Sequence, residues 1–337
     1  MVGDAVLDEL DLNLVAALQE APRAPINALA EALGSSPSTV GRRLQRLHGD
    51  RLLRVIGQLD WRLFSDTHPR HVWITTEAGQ LQNVAHRVAE LPEAQYVAMT
   101  TGRADVYCTV HPSRRDAVKD LLTRRIPGLA GVVATQSDLV LRPFGRADAW
   151  RVRQLDDEQR AVLAPHRIEQ PEAPAAQGFS EHERRAARLL HADARLTSSE
   201  LARDLGVSQS TAHRLIAGLL ERQVVRPRVE VEPALLGFHL EVVLSLTTEP
   251  GSTDEVGRAL GSHPSARYVS MVAGNATVIH QGVFRDEERL ADFLSGDLAQ
   301  LPGIRSVEVS VVLDVLRRYW IGRDRNRLGA ARLPADG

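Results

Sequence analysis

The chain has 337 residues, 41 Lys and Arg against 43 Asp and Glu, 43% hydrophobic and 25% charged residues, and a net charge of −2. That length allows two or more separately cored domains of ordinary globular composition, and the aromatic content of only 4% leaves the cores to Leu, Val, Ile and Ala. The balance of charge excludes a uniformly basic protein, so any nucleic-acid surface must gather its cations on one face.

Cys108 is the single cysteine, so no intramolecular disulfide exists and an oxidising compartment is not implied. The N-terminus is acidic and lacks a hydrophobic signal core. No apolar run approaches the roughly 20 residues that cross a bilayer. The expectation is a cytoplasmic protein with no membrane partner.

Leu7, Leu10, Leu14 and Leu18 recur at helical spacing behind acidic residues, and Pro22 and Pro25 end that helix. Ile26, Leu29, Ala30 and Leu33 give a second, short helix closed by Gly34. Ser36 caps a third, with Pro37 at its first position. In that third helix Val40, Leu44 and Leu47 point inward, which leaves Arg42, Arg43 and Arg46 outward. Three short helices with a tight turn before a basic third one form the helix-turn-helix pattern. The expected duties are base edges for Ser38, Thr39 and Arg42 near the helix start, and phosphates for Arg43, Arg46, Arg51 and Arg54, with the cap residue Ser36 also on the DNA-facing side.

Leu52–Ile56 and Trp61–Phe64 read as a hairpin or wing. A strand at Val72–Ile74, a helix at Leu81–Leu91, strands at Tyr96–Thr101 and Val106–Val110, a helix around Val118–Leu122 and a strand from Gly131 to Leu141 follow. Strand, helix, strand, strand, helix, strand is the ferredoxin-like order.

The order then restarts. Leu29-Ala30, Gly34, Ser36, Thr39, Arg42 and Leu47 match Leu201-Ala202, Gly206, Ser208, Thr211, Arg214 and Leu219 at a shift of 172 positions. Tyr96-Val97, Met99 and Gly102 match Tyr268-Val269, Met271 and Gly274 at the same shift. Pro127-Gly128 and Leu141-Arg142 match Pro302-Gly303 and Leu316-Arg317 at 175, which predicts three residues inserted near the second sheet's last helix. Two such arrays over both halves indicate a tandem duplication.

The fold class is therefore α+β, with two winged helix-turn-helix domains and two ferredoxin-like βαββαβ domains in tandem. The expected boundaries are 1–60 and 68–145, a linker over 146–178, then 179–230 and 236–320, and a C-terminal tail over 321–337. Within the linker 155–163 suits one helix, and Pro165, Pro171, Pro174 and the run to Gly178 suit an exposed segment. In the second copy Ser208, Ser210, Thr211, His213, Arg214 and Arg222 take the DNA-facing places, with Arg226 and Arg228 as further phosphate contacts. This second helix is less basic than the first.

Leu7-Asp8 with Asp11, Gly34-x-Ser36-Pro37-x-Thr39, Arg46-Leu47, Gly102-Arg103-Ala104-Asp105 and Pro127-Gly128 together resemble the Lrp/AsnC (feast/famine) family of prokaryotic transcription regulators. The resemblance recurs once per half and covers nearly the whole chain. It implies double-stranded DNA as partner, homo-oligomers, no cofactor, no metal and no catalytic residues. It also implies a small-molecule effector, often an amino acid, around the turn between the middle strands. The residues that match are Thr101, Gly102, Arg103 and Asp105, with Gly274, Asn275 and Thr277 in the second copy. Thr277 departs from the acidic residue of the first copy, which puts effector binding by both halves in question.

Two alternatives remain open. Sirohaem decarboxylases share this architecture and look to carry a His-x-x-Asn-x-Trp-Phe-like stretch. The equivalent strands here, Asp105–Cys108 and Thr277–His280, lack it. An adaptor that has lost DNA binding is the other. His68-x-x-His71 sits beside Pro69 without a third ligand and is expected to be solvated, whereas Cys108 is expected to be a buried apolar group.

Overall fold

Asp8 fixes the start of the first helix. Its carboxylate accepts from the Asp11 amide at 2.9 Å, and the Asp11 carboxylate returns the bond to the Asp8 amide at 3.3 Å. The computed structural model describes residues 7–63, 65–146, 150–152, 154–168 and 179–333. In chain order the elements are α1 (Glu9–Glu20), α2 (Ile26–Ala32), α3 (Pro37–Gly49), β1 (Leu53–Leu59), β2 (Arg70–Thr76), α4 (Leu81–Glu90), β3 (Ala94–Thr100), β4 (Val106–Val110), α5 (Arg115–Asp120) and β5 (Val132–Gly145). Next come α6 (Asp157–Leu163), α7 (Glu181–Ala192), α8 (Ser198–Leu205), α9 (Gln209–Glu221), β6 (Val225–Val231), β7 (Leu240–Thr248), α10 (Thr253–Ser262) and β8 (Ala266–Ala273). The last are β9 (Val278–Phe284), α11 (Glu287–Asp292), β10 (Ile304–Arg318), β11 (Ile321–Asp324) and β12 (Arg327–Ala331).

The chain does not divide by copy, because each unit draws residues from both. Described residues within 1–63, 151–236 and 326–328 form one unit, and those within 64–150, 237–325 and 329–337 form the other.

The first unit holds both three-helix sets. β1 does not fold into a wing hairpin within its own copy, as the sequence suggested. It pairs antiparallel with β6 of the second copy, Leu53 opposite Val231 and Leu59 opposite Val225. Trp61–Leu63 form a single 3-10 turn, and Phe64 lies outside the described residues. Gly57 lets α7 pass close over β1, because a Cβ there would stand 2.7 Å from the Leu190 carbonyl oxygen. α7 crosses β1, with the Ala194 amide donating to Val55 O and the His191 Nδ1–H to Gly57 O, both at 2.8 Å. α1 packs on β6 in return. The expected linker is helical at α6, which Asp156 caps and which packs against α1 and α2. Pro165 lies in a short 3-10 turn, whereas Pro171, Pro174 and Gly178 lie outside the described residues.

The second unit contains the two expected ferredoxin-like sheets, ordered β5-β2-β4-β3 and β10-β7-β9-β8. They join at both edges. β5 pairs with β8, and β10 pairs with β3, so the eight strands close on themselves and no edge is left open between the copies. β11 and β12 extend the sheet beyond β10 where the sequence suggested a plain tail, of which 334–337 lie outside the described residues. One apolar cluster lies under α4 in the first copy and another under α10 in the second. A third, with Trp73, Tyr107, Val243 and Ile279, fills the space between the sheets.

The pairing corrects the repeat register. Ile74 lies opposite Thr135, and Leu246 opposite Val307, so the shift of 172 continues into the last strands. Gly131 and Gly303 are equivalent: φ is +89° and +80°, and their carbonyls accept from Glu77 and Glu249 at 2.8 Å. No three residues are inserted. Pro127-Gly128 and Pro302-Gly303 are similar words at different places, and an odd slip would turn each side chain to the wrong face.

His71 is buried, not solvated. Gln281 Nε2 donates to the Tyr107 hydroxyl at 3.0 Å, that hydroxyl lies 2.7 Å from His71 Nδ1, and His71 Nε2 lies 3.1 Å from Ser270 Oγ. The network thus ties the first copy's sheet to the second's. Cys108 is buried as expected, and burial pushes its thiol up to about 12.

Burial holds four imidazoles neutral: His71, His111 and His280 at about 3, and His191 at about 4. The unfolded value is about 6.5. Across the window between, the unfolded chain binds protons that the folded chain refuses, so stability is fully present above pH 6.5 and falls as pH falls. Each such histidine contributes up to about 1.4 kcal/mol per pH unit. Denaturant midpoints measured at pH 7.5, 6 and 5 are expected to fall steadily; a flat series would contradict this.

Candidate DNA interface and effector turns

α3 and α9 are built alike. Ser36 Oγ accepts the Thr39 amide at 3.1 Å and Ser208 Oγ accepts the Thr211 amide at 3.2 Å. Both serines also bond the hydroxyl three residues on, at 2.9 Å. Ser36 and Ser208 are therefore committed to capping, and the exposed Ser38 and Ser210 on the first turn lie 2.9 and 3.0 Å from the same cap hydroxyls. Gly34 and Gly206 take the left-handed conformation that turns the chain into each helix, at φ +57° and +69°.

The arginines divide in two. Arg42 and Arg214 occupy equivalent, exposed positions and enter no ion pair among the described residues. Arg43 instead reaches back to α1, 2.6 Å from Asp8 and 2.9 Å from the buried Asp11. The Asp8 and Asp11 carboxylates raise the Arg43 guanidinium, and Arg43 in turn lowers Asp8. Arg46 lies 2.5 Å from the other Asp11 oxygen and keeps part of its length in solvent. Arg222 plays the same part in the second copy: it bonds Glu183 and stacks over Phe179. One acidic residue on each first helix thus fixes the angle of the recognition helix.

Arg51 is exposed, with φ +60° just past the end of α3. Arg54 is half-buried on β1 directly opposite Glu230. Arg228, expected on phosphate, is buried and lies 2.9 Å from the buried Glu230 carboxylate. Val229 and Val231 on the opposite face are buried too, so this end of β6 is covered on both faces and gives the arginine no path to a phosphate. His213 is exposed one residue before Arg214. Sequence reasoning passed over Gln45, exposed three residues after Arg42 on the same helical face, and Gln209. The i, i+3 spacing was the available signal for Gln45.

In the second unit the two candidate effector turns rest on the long strands of the opposite copy. A Cβ on Gly102 (φ +91°) would stand 2.8 Å from Val309 O, and the Thr101 amide donates to Val311 O at 2.9 Å. Gly274 is equally confined, by Asp138 of β5. Arg103 lies over the Trp73 ring at 5.0 Å, donates to Gln136 Oε1 at 3.1 Å and pairs with Glu308 at 3.3 Å. Asn275 donates from Nδ2 to the same Gln136 oxygen at 3.1 Å and from its backbone to Asp138 Oδ1 at 2.8 Å. Trp73 Nε1 donates to the other Asp138 oxygen at 3.0 Å. The two turns therefore meet around Gln136. Asp138, Gln136 and Glu308 gave no sequence signal, because each meets partners far away in the chain, Asn275 for the first two and Arg103 for Glu308.

Asp105 accepts the Thr76 amide at 2.7 Å, and Thr277 Oγ1 accepts the equivalent Thr248 amide at 2.9 Å. Both bond the neighbouring strand, which explains how Thr stands in for Asp in the second copy.

Paired, capped helices with exposed arginines in one unit and ferredoxin-like sheets in the other define a helix-turn-helix protein with a ligand-binding type of second domain. The AsnC-type helix-turn-helix domain matches residues 7–48, and the Lrp/AsnC ligand binding domain matches twice, at 71–149 and 241–319. The chain belongs to the Lrp/AsnC family, in tandem form. Its second helix-turn-helix, residues 187–228, matches the IclR helix-turn-helix domain.

Similar proteins include the uncharacterized HTH-type transcriptional regulator PYRAB01370 of Pyrococcus abyssi, 28% identical over 138 residues, covering 41% of this chain and 87% of that one. The HTH-type transcriptional regulator LrpA of Pyrococcus horikoshii is 25% identical, covering 38% and 92%. Among solved structures, the siroheme decarboxylase NirDL superposes with a TM-score of 0.61 over 92% of this chain and 93% of that one, at 15% identity. That likeness shows the tandem fold.

Proposed function

We propose that the chain is a sequence-specific, non-enzymatic DNA-binding transcription regulator that sets α3 and α9 in successive major-groove half-sites. The observation that carries this is the equivalent placement of Arg42 and Arg214, exposed and unpaired among the described residues, on two capped helices of one unit. Half-sites about one helical turn apart suit such a pair. The internal β1–β6 and sheet pairings supply within one chain the contacts that two copies would otherwise make. A small effector such as an amino acid binds at the converging turns, its carboxylate toward Arg103 and its ammonium toward Glu308. A thermal-shift screen of amino acids checks the effector, and no stabiliser among them would remove it.

The DNA reading is tested by fluorescence anisotropy on selected duplexes across a salt series. Affinity is expected to fall steeply between about 50 and 200 mM salt, as phosphate contacts release counterions. Salt-independent binding would count against it. Absorbance of a bound sirohaem together with absent DNA binding would favour the decarboxylase-like alternative.

A further inference from the structure

α3 and α9 share the serine and arginine of their first turns, although exposed Gln209 and His213 of α9 stand where α3 has Pro37 and Gly41, and they differ again further on. Ser38 and Arg42 have exposed counterparts in Ser210 and Arg214. One turn later the faces part: exposed Gln45 of α3 corresponds to Ala217 of α9, and exposed Gly49 to Glu221. Glutamine offers a donor and an acceptor that match an adenine edge in the major groove, whereas alanine offers only a methyl contact. Arg46 beside Gln45 is held by Asp11, so Gln45 is the side chain left to read a further base pair. At the far end of α9 the Glu221 carboxylate repels phosphate where Gly49 is neutral.

Both helices belong to one chain and are joined through the β1–β6 ladder, so each molecule presents one α3 and one α9. An ordinary homodimer presents two identical helices and favours a palindrome. Resting on the regulator reading above, we infer that one chain recognises a directional, non-palindromic duplex. Its two half-sites share a guanine read by Arg42 and by Arg214. The α3 half extends by an adenine facing Gln45, and the α9 half does not.

The test is selection from a random duplex library with the full chain. Anisotropy then compares the enriched site with two palindromes, each made by repeating one half. The expected result is an asymmetric motif bound about five- to a hundred-fold more tightly than the α9-half palindrome, the ratio one bidentate base contact supplies. Gln45→Ala is expected to erase discrimination at the extra base pair alone. Ala217→Gln is expected to bring the α3-half palindrome up to the affinity of the selected site. Enrichment of a palindrome, or discrimination that survives Gln45→Ala, overturns this inference and leaves DNA binding intact. Failure to enrich any sequence overturns both.

Discussion

Replacing Glu230 by alanine is expected to remove about 3–5 kcal/mol of stability, the range for breaking a buried ion pair from one side. Glu230 and Arg228 are both almost wholly buried in β6, 2.9 Å apart. Arg228 also donates to Gln58 Oε1 on β1 at 3.2 Å. The substitution leaves a guanidinium charge inside the β1–β6 ladder, so DNA affinity is expected to fall with stability. Replacing both residues together, as Arg228→Met with Glu230→Leu, removes the charge as well as its partner and is expected to recover most of the loss. Urea denaturation of the two variants decides it. A single variant within about 0.5 kcal/mol of the parent, the size of an ordinary surface change, would show that the pair does not hold the ladder.

Arg42→Ala is expected to weaken binding to the selected DNA by about 1–3 kcal/mol, with little effect on thermal stability. Arg43→Ala is expected to do the opposite. It removes the bonds to Asp8 and Asp11, which loosens α1 from α3 and lowers the melting temperature first. Arg214→Ala is expected to cost less affinity than Arg42→Ala, because α9 lacks a counterpart of Gln45 and ends in Glu221. Anisotropy and melting curves on the three variants separate these effects. Equal losses from Arg42→Ala and Arg214→Ala would mean that the two helices contribute alike.

The division among the arginines marks how far the sequence could be read. Helical spacing placed Arg42, Arg43 and Arg46 on the polar side of α3, and it placed them correctly as positions on a helix. It did not show that the Asp8–Asp11 capping box of α1 lies within reach of two of them. Periodicity describes one helix at a time, whereas an ion pair depends on the angle between two.

Strand positions followed the same rule. Runs of Val, Ile and Tyr located β2 to β5 of the first copy closely, because side-chain alternation is local, and the second copy's strands were reached only through the repeat. Partner choice is not local. β1 was expected to fold back on its own copy and instead pairs with β6. The supposed insertion before β10 disappeared once Ile74–Thr135 and Leu246–Val307 were seen to be equivalent pairs. Likewise His71, expected to be solvated, is a buried residue of β2 whose partner Ser270 is nearly two hundred positions away.

The sequence by itself determined the element order, the caps at Ser36 and Ser208, the duplication, and the two helices that carry Arg42 and Arg214. These depend on spacing, turn chemistry and capping within a few residues. Only the tertiary structure decided which arginines remain available, how β1–β6 and the closed sheets join the copies, and that the two turns meet at Gln136. Each of those is set by burial and by pairing between residues far apart in the chain, and a linear pattern does not encode which distant surface will cover which.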